Sequence, residues 1–199
     1  MASDNGPAEM QKMIRELQEL SRGRFIQYVT KPLAAELIAR IKTCFTTSQS
    51  PYREAWAPVA RGGKPLLDKG RLSRAFQDAS QPPRLEIHNP TVYARIQNDG
   101  GFVTAKGGGY LHFPINAPGA ALAMRGGMVT ARRRGSKQWV KVKTVYIEAR
   151  PFMPDERGLP EDWERRMALV AHNVFGLKFP GLASNSDVWK QGLDQLVKR

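Results

Sequence analysis

The stretch 140–167 most constrains the fold, because it predicts a strand, a rigid corner and a helix in direct succession. At its start, β-forming residues alternate with charged or polar ones, which is typical of a half-buried strand with one wet face. Pro151 cannot donate to a β-ladder and keeps the residue before it out of helical geometry, so we expect the strand to end near Ala149. Pro160, followed by acidic residues, predicts the start of a helix.

The other elements are predicted from local propensity and turn residues. An extended connector is expected at Phe25–Val29, followed by a helix that Thr30 caps and that begins near Pro32. A last core helix is expected to end at Gly176. The predicted strands are 84–88, 92–97 and 110–115, a short helix is predicted over 70–76, and 102–109 is predicted to be a glycine-rich loop.

Together these elements predict an α+β fold. We expect a small antiparallel or mixed sheet of about four strands flanked by two long helices, with an extended N-terminal helical arm and a long basic hairpin. The predicted segments are an arm and connector (1–30), a core domain (31–176) with a loop over 51–76 and a hairpin insertion over 106–144, and a tail (177–199).

The arm carries a narrow apolar stripe that begins after Pro7 and includes Met10, Ile14 and Leu17. A helix this short is marginally stable alone in water, so it must pack on its own domain or on a neighbouring subunit. We predict these three side chains to be subunit contacts.

The charge balance favours an acidic partner. The chain has 199 residues, with 31 Lys and Arg against 18 Asp and Glu, a net charge of +13. Nucleic acid is the first candidate, acidic protein surfaces the second and anionic membranes the third. No run approaches the roughly 18 apolar residues of a membrane helix, and the N-terminus lacks the pattern of a signal peptide. We therefore expect a cytoplasmic protein without a membrane partner, in which the lone Cys44 is a small buried hydrophobe.

The sequence contains few residues in patterns typical of an active site. His88, His112 and His172 lie far apart, and none has metal-ligand spacing with Cys44 or another His. The glycines at 107–109 lack the Gly-x-x-x-x-Gly-Lys-Ser/Thr pattern of a phosphate-binding loop. We therefore expect no catalytic residues, no metal and no cofactor.

A basic cluster is the main candidate binding site. Arms at Met128–Ala131 and Trp139–Ile147 are predicted to pair across Arg132–Ser136, giving a hairpin with an arginine tip. Three interpretations stay open: a strand pair that follows a phosphate backbone, a solvated tip or charged edge, and a contact with an acidic protein surface. The candidate contact residues are Arg125, Arg132, Arg133, Arg134, Lys137, Trp139, Lys141 and Lys143.

Three segments in order, SPYREAWAPVARGGKPLLDKGRL, TVYARIQNDGG and IEARPFM, resemble the phage virion morphogenesis family of tailed phages. The first holds a Trp-x-Pro element, Trp56 and Pro58, and then a Leu-Leu-Asp-x-Gly-x-Leu element. The second is a Tyr-Ala segment, from Tyr93, that ends in Gly-Gly, and the third is an Ala-Arg-Pro-Phe corner, 149–152. The resemblance covers about 33–175, outside the arm and the tail.

The resemblance implies a structural virion protein that completes the tail and joins it to the DNA-filled head as part of a sixfold ring. The implied partners are other copies of the chain, neighbouring neck or connector proteins, tail tube or terminator proteins and, transiently, genomic DNA in the channel. The implied location is the neck of the virion, after assembly in the host cytoplasm. The alternative is a nucleic-acid-binding protein that uses the basic segment 125–143.

Overall fold

The computed structural model describes residues 6–59, 63–114, 132–134 and 137–184. Within these ranges helices combine with small antiparallel sheets, as predicted for an α+β protein. The helices are α1 (Gly6–Ser21), α2 (Arg24–Thr47), α3 (Arg71–Arg74), α4 (Ala94–Asp99), α5 (Glu161–Lys178) and α6 (Pro180–Ser184). The strands are β1 (Gln77–Asp78), β2 (Ile87–His88), β3 (Gly101–Thr104), β4 (Leu111–Pro114), β5 (Arg132–Arg134), β6 (Lys137–Val142) and β7 (Thr144–Ile147).

The chain forms two compact units. The first comprises the described residues of Met1–Arg40, Phe76–His88 and Arg157–Arg199, and the second those of Ile41–Ala75 and Asn89–Glu156. Each unit has its own aromatic cluster, formed by Phe25, Phe175 and Phe179 in the first and by Phe45, Trp56 and Phe152 in the second.

In the first unit, α2 begins earlier than the sequence indicates. The residues predicted as an extended connector, 25–29, are helical, so that prediction was wrong. The ring of Phe25 lies 5.6 Å from that of Phe175 and 6.3 Å from that of Phe179, which is fully buried. Burial of these rings outweighs the strand preference of the local sequence.

The predicted cap at Thr30 was also wrong, because α2 continues through this position. The Thr30 hydroxyl donates to the carbonyl oxygen of Ile26 one turn earlier, which is a common arrangement inside a helix. Pro32 lies within α2, although proline lacks the N–H that a helix interior uses. Tertiary packing therefore sets the start of this helix.

Helix α5 agrees more closely with its prediction. It begins at Glu161, directly after Pro160, with acidic residues in the first turn where they complement the helix dipole. It ends at Lys178, two residues beyond the predicted end at Gly176. Trp163 and His172 are its buried residues. The pattern of proline and acids thus predicted the start of this helix well.

In the second unit, the segment predicted as a strand over 92–97 contains the start of α4, so this prediction was wrong. Ala94 is buried at the start of the helix, and its N–H bonds to the carbonyl of Thr91. The helix ends at Asp99 with Gly100 as its C-cap, and β3 begins at Gly101 and continues into the region predicted to be a loop. The short helix predicted over 70–76 is present as α3.

The strands of the described residues form three small antiparallel sheets, which differ from the predicted sheet of about four strands. β1 pairs with β2, β3 pairs with β7, and β6 lies between β4 and β5. The strand predicted over 139–147 is interrupted at Lys143 and so divides into β6 and β7. Val142 and Val145, on either side of the interruption, are both buried. The prediction for 110–115 is confirmed by β4, and that for 84–88 only in part by the two-residue β2.

Candidate functional site

The segments that carry the family resemblance meet in a buried aromatic cluster of the second unit. The ring of Phe45 lies 5.7 Å from that of Trp56 and 5.2 Å from that of Phe152. All three side chains are buried. Two of them, Trp56 and Phe152, come from motifs almost a hundred residues apart in sequence. The motifs therefore contribute to one packed core.

Hydrogen bonds join the same segments. The indole N–H of Trp56 donates to the carbonyl oxygen of Pro151 at 3.0 Å. The backbone N–H of Arg150 donates to the carbonyl oxygen of Gln97 at 2.9 Å, and its guanidinium reaches the carbonyl oxygen of Ala57 at 3.5 Å. The corner at 149–152 is thus bonded to both of the other segments.

Asn98 and Gly100 complete this corner. The side-chain oxygen of Asn98 accepts the backbone N–H groups of Phe152 and Met153 at 2.9 and 3.0 Å. Gly100 has φ +71°, and a Cβ there would lie 2.8 Å from the backbone nitrogen of Ala149. Only glycine fits this backbone conformation and this close approach. The Asn-x-Gly spacing therefore fixes the chain against the proline corner.

The arm is anchored through an acidic residue in the first unit. Glu16, on α1, is buried, and its carboxylate accepts the backbone N–H of Gly181 at 3.2 Å and that of Leu182 at 2.9 Å. A Cβ at Gly181 would lie 3.0 Å from a carboxylate oxygen of Glu16, so the glycine permits the approach. The anchor is therefore polar and ties α1 to α6. The sequence analysis did not identify it.

The predicted subunit contacts lie on the solvent-exposed part of α1. Met10, Ile14 and Leu17 expose 62%, 47% and 52% of their surface. These apolar side chains recur at the spacing of one helical face, and this stripe is not covered by the described residues of the chain. The structure thus brings the three residues together on one exposed surface.

The structure describes only part of the predicted basic cluster. Arg132, Arg133 and Arg134 pair, in order, with Trp139, Gln138 and Lys137. The arginines are therefore part of a paired strand, whereas the sequence predicted them in the hairpin tip. The predicted arm Met128–Ala131 and the candidate Arg125 lie outside the described residues. On β6 Lys141 is half-buried, and Lys143 beyond it is exposed.

An exposed aromatic surface adjoins this cluster. Phe102 on β3 and Tyr146 on β7 are directly opposite each other and expose 75% and 44% of their surface. Tyr110 exposes 49%, and the ammonium of Lys141 lies 5.7 Å from the centre of its ring. We call Phe102, Tyr110 and Tyr146, with Lys141 and Lys143, the aromatic face.

Phe102 and Tyr110 were not predicted as site residues. Phe102 and Val103 are β-forming residues, but glycines on both sides indicated a loop. Tyr146 lies within the predicted arm Trp139–Ile147 but was not among the candidate contact residues. Phe102 and Tyr146 lie side by side because β3 and β7 pair in this register, and no local sequence pattern predicts the register.

The described residues offer no metal centre, because no group of three His, Cys, Asp or Glu side chains among them could hold an ion. His88 and His112 are exposed. His172 is buried, and this burial lowers its pKa. Cys44 is buried, as predicted. No helix in the described part of the chain is long and apolar enough to cross a bilayer.

No family model, curated protein or solved structure matches the chain.

Proposed function

We propose that this protein is a structural component of a tailed-phage virion, which completes the tail and joins it to the DNA-filled head. It acts as part of a ring of identical copies, with six as the expected number. Neighbouring neck or connector proteins and tail tube or terminator proteins are its further partners. It assembles in the host cytoplasm and stays in the neck of the virion.

The exposed stripe of α1 is the observation that carries this proposal. Met10, Ile14 and Leu17 leave about half or more of their surface in water, although α1 is already anchored through Glu16. A contiguous apolar stripe on the surface is typical of a protein–protein contact. A sister copy would bury the stripe and thereby stabilise a helix of only 16 residues.

The corner formed by the three family-like segments also supports a structural role. Their residues are occupied by ring packing and by hydrogen bonds to backbone groups. Such residues stabilise a scaffold that can hold its surfaces in place within an assembly. A long basic hairpin over 106–144 is part of this proposal, as the element directed at the DNA channel or at an acidic neighbouring ring.

Two experiments test the proposal. Particles assembled without the protein should separate into filled heads and finished tails in negative-stain images, and normal infectious particles would contradict the proposal. In the purified protein, the double variant Ile14→Asp, Leu17→Asp should lose its oligomeric mass in light scattering, because two charges would enter the contact.

Gln18→Asp is the matched control for this experiment. Gln18 is exposed on the same helix beside Leu17, so the variant adds charge without altering the stripe. It should keep the oligomeric mass of the unaltered protein. Equal masses for all three proteins would show that the stripe is not a subunit contact.

A further inference from the structure

The solvent side of the β3–β7 ribbon presents two aromatic rings on neighbouring strands. The rings of Phe102 and Tyr146 lie 5.2 Å apart at an interplanar angle of 62°. Two residue pairs further along the ribbon, the hydroxyls of Thr104 and Thr144 are 3.2 Å apart and exposed. The opposite side of the ribbon carries Val145, which is buried. The two rings are thus held on a fixed sheet face that is open to water.

Basic groups lie next to this ribbon in the chain. The N–H of Ala105 donates to the carbonyl oxygen of Lys143 at 2.8 Å, so the chain stays bonded across the interruption between β6 and β7. Lys143 is exposed there, and the ammonium of Lys141 lies over the ring of Tyr110. The exposed rings of β3 and β7 and the cations of β6 and of the interruption therefore lie in adjoining segments of the chain.

The charge of the surrounding sequence selects an anionic partner. From Gly101 to Ile147 the chain contains eight Lys or Arg residues and no Asp or Glu. Two copies of this face would repel each other, so self-association does not account for the exposed rings. A polyanion would instead neutralise the face.

We infer that the aromatic face binds single-stranded nucleic acid. Phe102 and Tyr146 stack on unpaired bases, and Lys141 and Lys143 contact the phosphates. Sheets that bind single strands use aromatic residues on neighbouring strands in this way, because every base has a planar face. A duplex hides those faces inside its base stack, and an acidic protein surface offers carboxylates in place of planar bases. The site is independent of the proposed ring contact through α1.

The test uses the full-length protein and a fluorescent oligothymidylate of about 20 nucleotides, with binding followed by anisotropy. Phe102→Ala and Tyr146→Ala should each weaken binding roughly 5- to 150-fold, the range expected for loss of one stacked base. Lys141→Ala and Lys143→Ala should each lower the slope of log affinity against log salt by about 0.7, whereas the aromatic variants should leave it unchanged.

Three controls separate stacking from other causes. Phe102→Leu keeps an apolar side chain but removes the planar ring, so it should weaken binding as Phe102→Ala does. Phe102→Trp keeps a ring and should retain affinity. Val92 exposes 97% of its surface in the same unit, so Val92→Ala should bind like the unaltered protein.

Several outcomes would overturn the inference. One is equal affinity of Phe102→Ala, Phe102→Leu and Val92→Ala for the oligonucleotide. Tighter binding of the matching duplex, or equally effective competition by polyglutamate, would indicate a DNA backbone or an acidic protein instead. A loss of oligomeric mass in Phe102→Ala would show that the aromatic face is a subunit contact. The α1 variants measure the ring separately, so failure of one proposal leaves the other intact.

Discussion

Trp56 and Pro151 are joined by a hydrogen bond of 3.0 Å between the indole N–H and the proline carbonyl oxygen, although they lie 95 residues apart in sequence. The same indole packs edge-on against the ring of Phe45. One side chain in the loop after α2 therefore packs on α2 and is hydrogen-bonded to the corner after β7.

Replacing Trp56 separates these two contributions. Trp56→Ala should lower the free energy of unfolding by about 3–5 kcal/mol, because it leaves a cavity beside Phe45. Trp56→Phe keeps a ring but leaves the carbonyl of Pro151 without its donor, at a cost of about 1–3 kcal/mol. Urea unfolding measures both, and Tyr93→Phe, at an exposed ring, should change stability by less than about 0.5 kcal/mol. Equal stability of Trp56→Phe and the unaltered protein would refute the role of the hydrogen bond.

Asn98 is expected to be sensitive to the loss of its side-chain oxygen. Asn98→Ala leaves the N–H groups of Phe152 and Met153 without their acceptor and should cost about 1–3 kcal/mol. Asn98→Asp keeps an acceptor oxygen for both donors and should retain more stability than the alanine variant. Chemical denaturation of the two variants side by side checks this order, and the reverse order would contradict it.

Gly100 and Gly107 form a matched pair for testing steric contact. Both have positive φ, but a Cβ at Gly100 would lie 2.8 Å from backbone, whereas nothing lies within 4 Å at Gly107. Gly107→Ala should cost about 1–2 kcal/mol, from backbone conformation alone. Gly100→Ala should cost clearly more, because the backbone of the corner must also move. Similar melting temperatures for the two variants would show that the close approach is unimportant.

The anchor of α1 predicts a local effect on α6. Glu16→Gln replaces one of two accepting oxygens by an NH₂ group that faces a backbone N–H, so it should destabilise this contact by about 1–3 kcal/mol. Hydrogen exchange of the peptide over 180–184 should accelerate. Glu19→Gln alters an exposed ion pair between the same helix and Arg24 of α2, and it should leave that exchange rate unchanged. Unchanged exchange in Glu16→Gln would argue against the anchor.

His172 predicts a dependence of stability on pH. Burial lowers its pKa below the ordinary value of 6.5, so the unfolded chain binds the proton first as the pH falls. His172 therefore causes no loss of stability above about pH 6.5. As the pH falls from there to the folded-state pKa, the free energy of unfolding decreases. The fall in melting temperature between about pH 7.5 and about pH 5 should be smaller in His172→Gln than in the unaltered protein. His88→Gln, at an exposed site, should behave like the unaltered protein.

Local signals predicted the elements whose ends are set by proline and charge. Pro160 with its acidic residues marked the start of α5, and the stripe after Pro7 marked α1. Tertiary contacts set the others. Phe25 lies in a helix because it packs on Phe175 and Phe179. The segment before Gly100 is helical, although its local propensity favours a strand.

The two candidate surfaces also differ in how far the sequence predicts them. The exposed stripe of α1 followed from helical spacing on a single element. The aromatic face requires the pairing of residues 44 positions apart, Phe102 with Tyr146, and this pairing depends on strand register. Arg132–Arg134 were recognised as a charge cluster, but their pairing with β6 depends on strand register, which composition alone does not set.

The interruption at Lys143 also changes the alternation of inward and outward residues. In an unbroken strand, Lys141 and Tyr146 would point to opposite sides, because an odd number of steps separates them. Here Lys141 is partly accessible and Tyr146 exposed, while Val142 and Val145, three residues apart, both stay inside. Removing one residue between the valines would let an unbroken strand keep both inside. The extra residue therefore lets one segment pair with β4 before the interruption and with β3 after it while both valines stay buried.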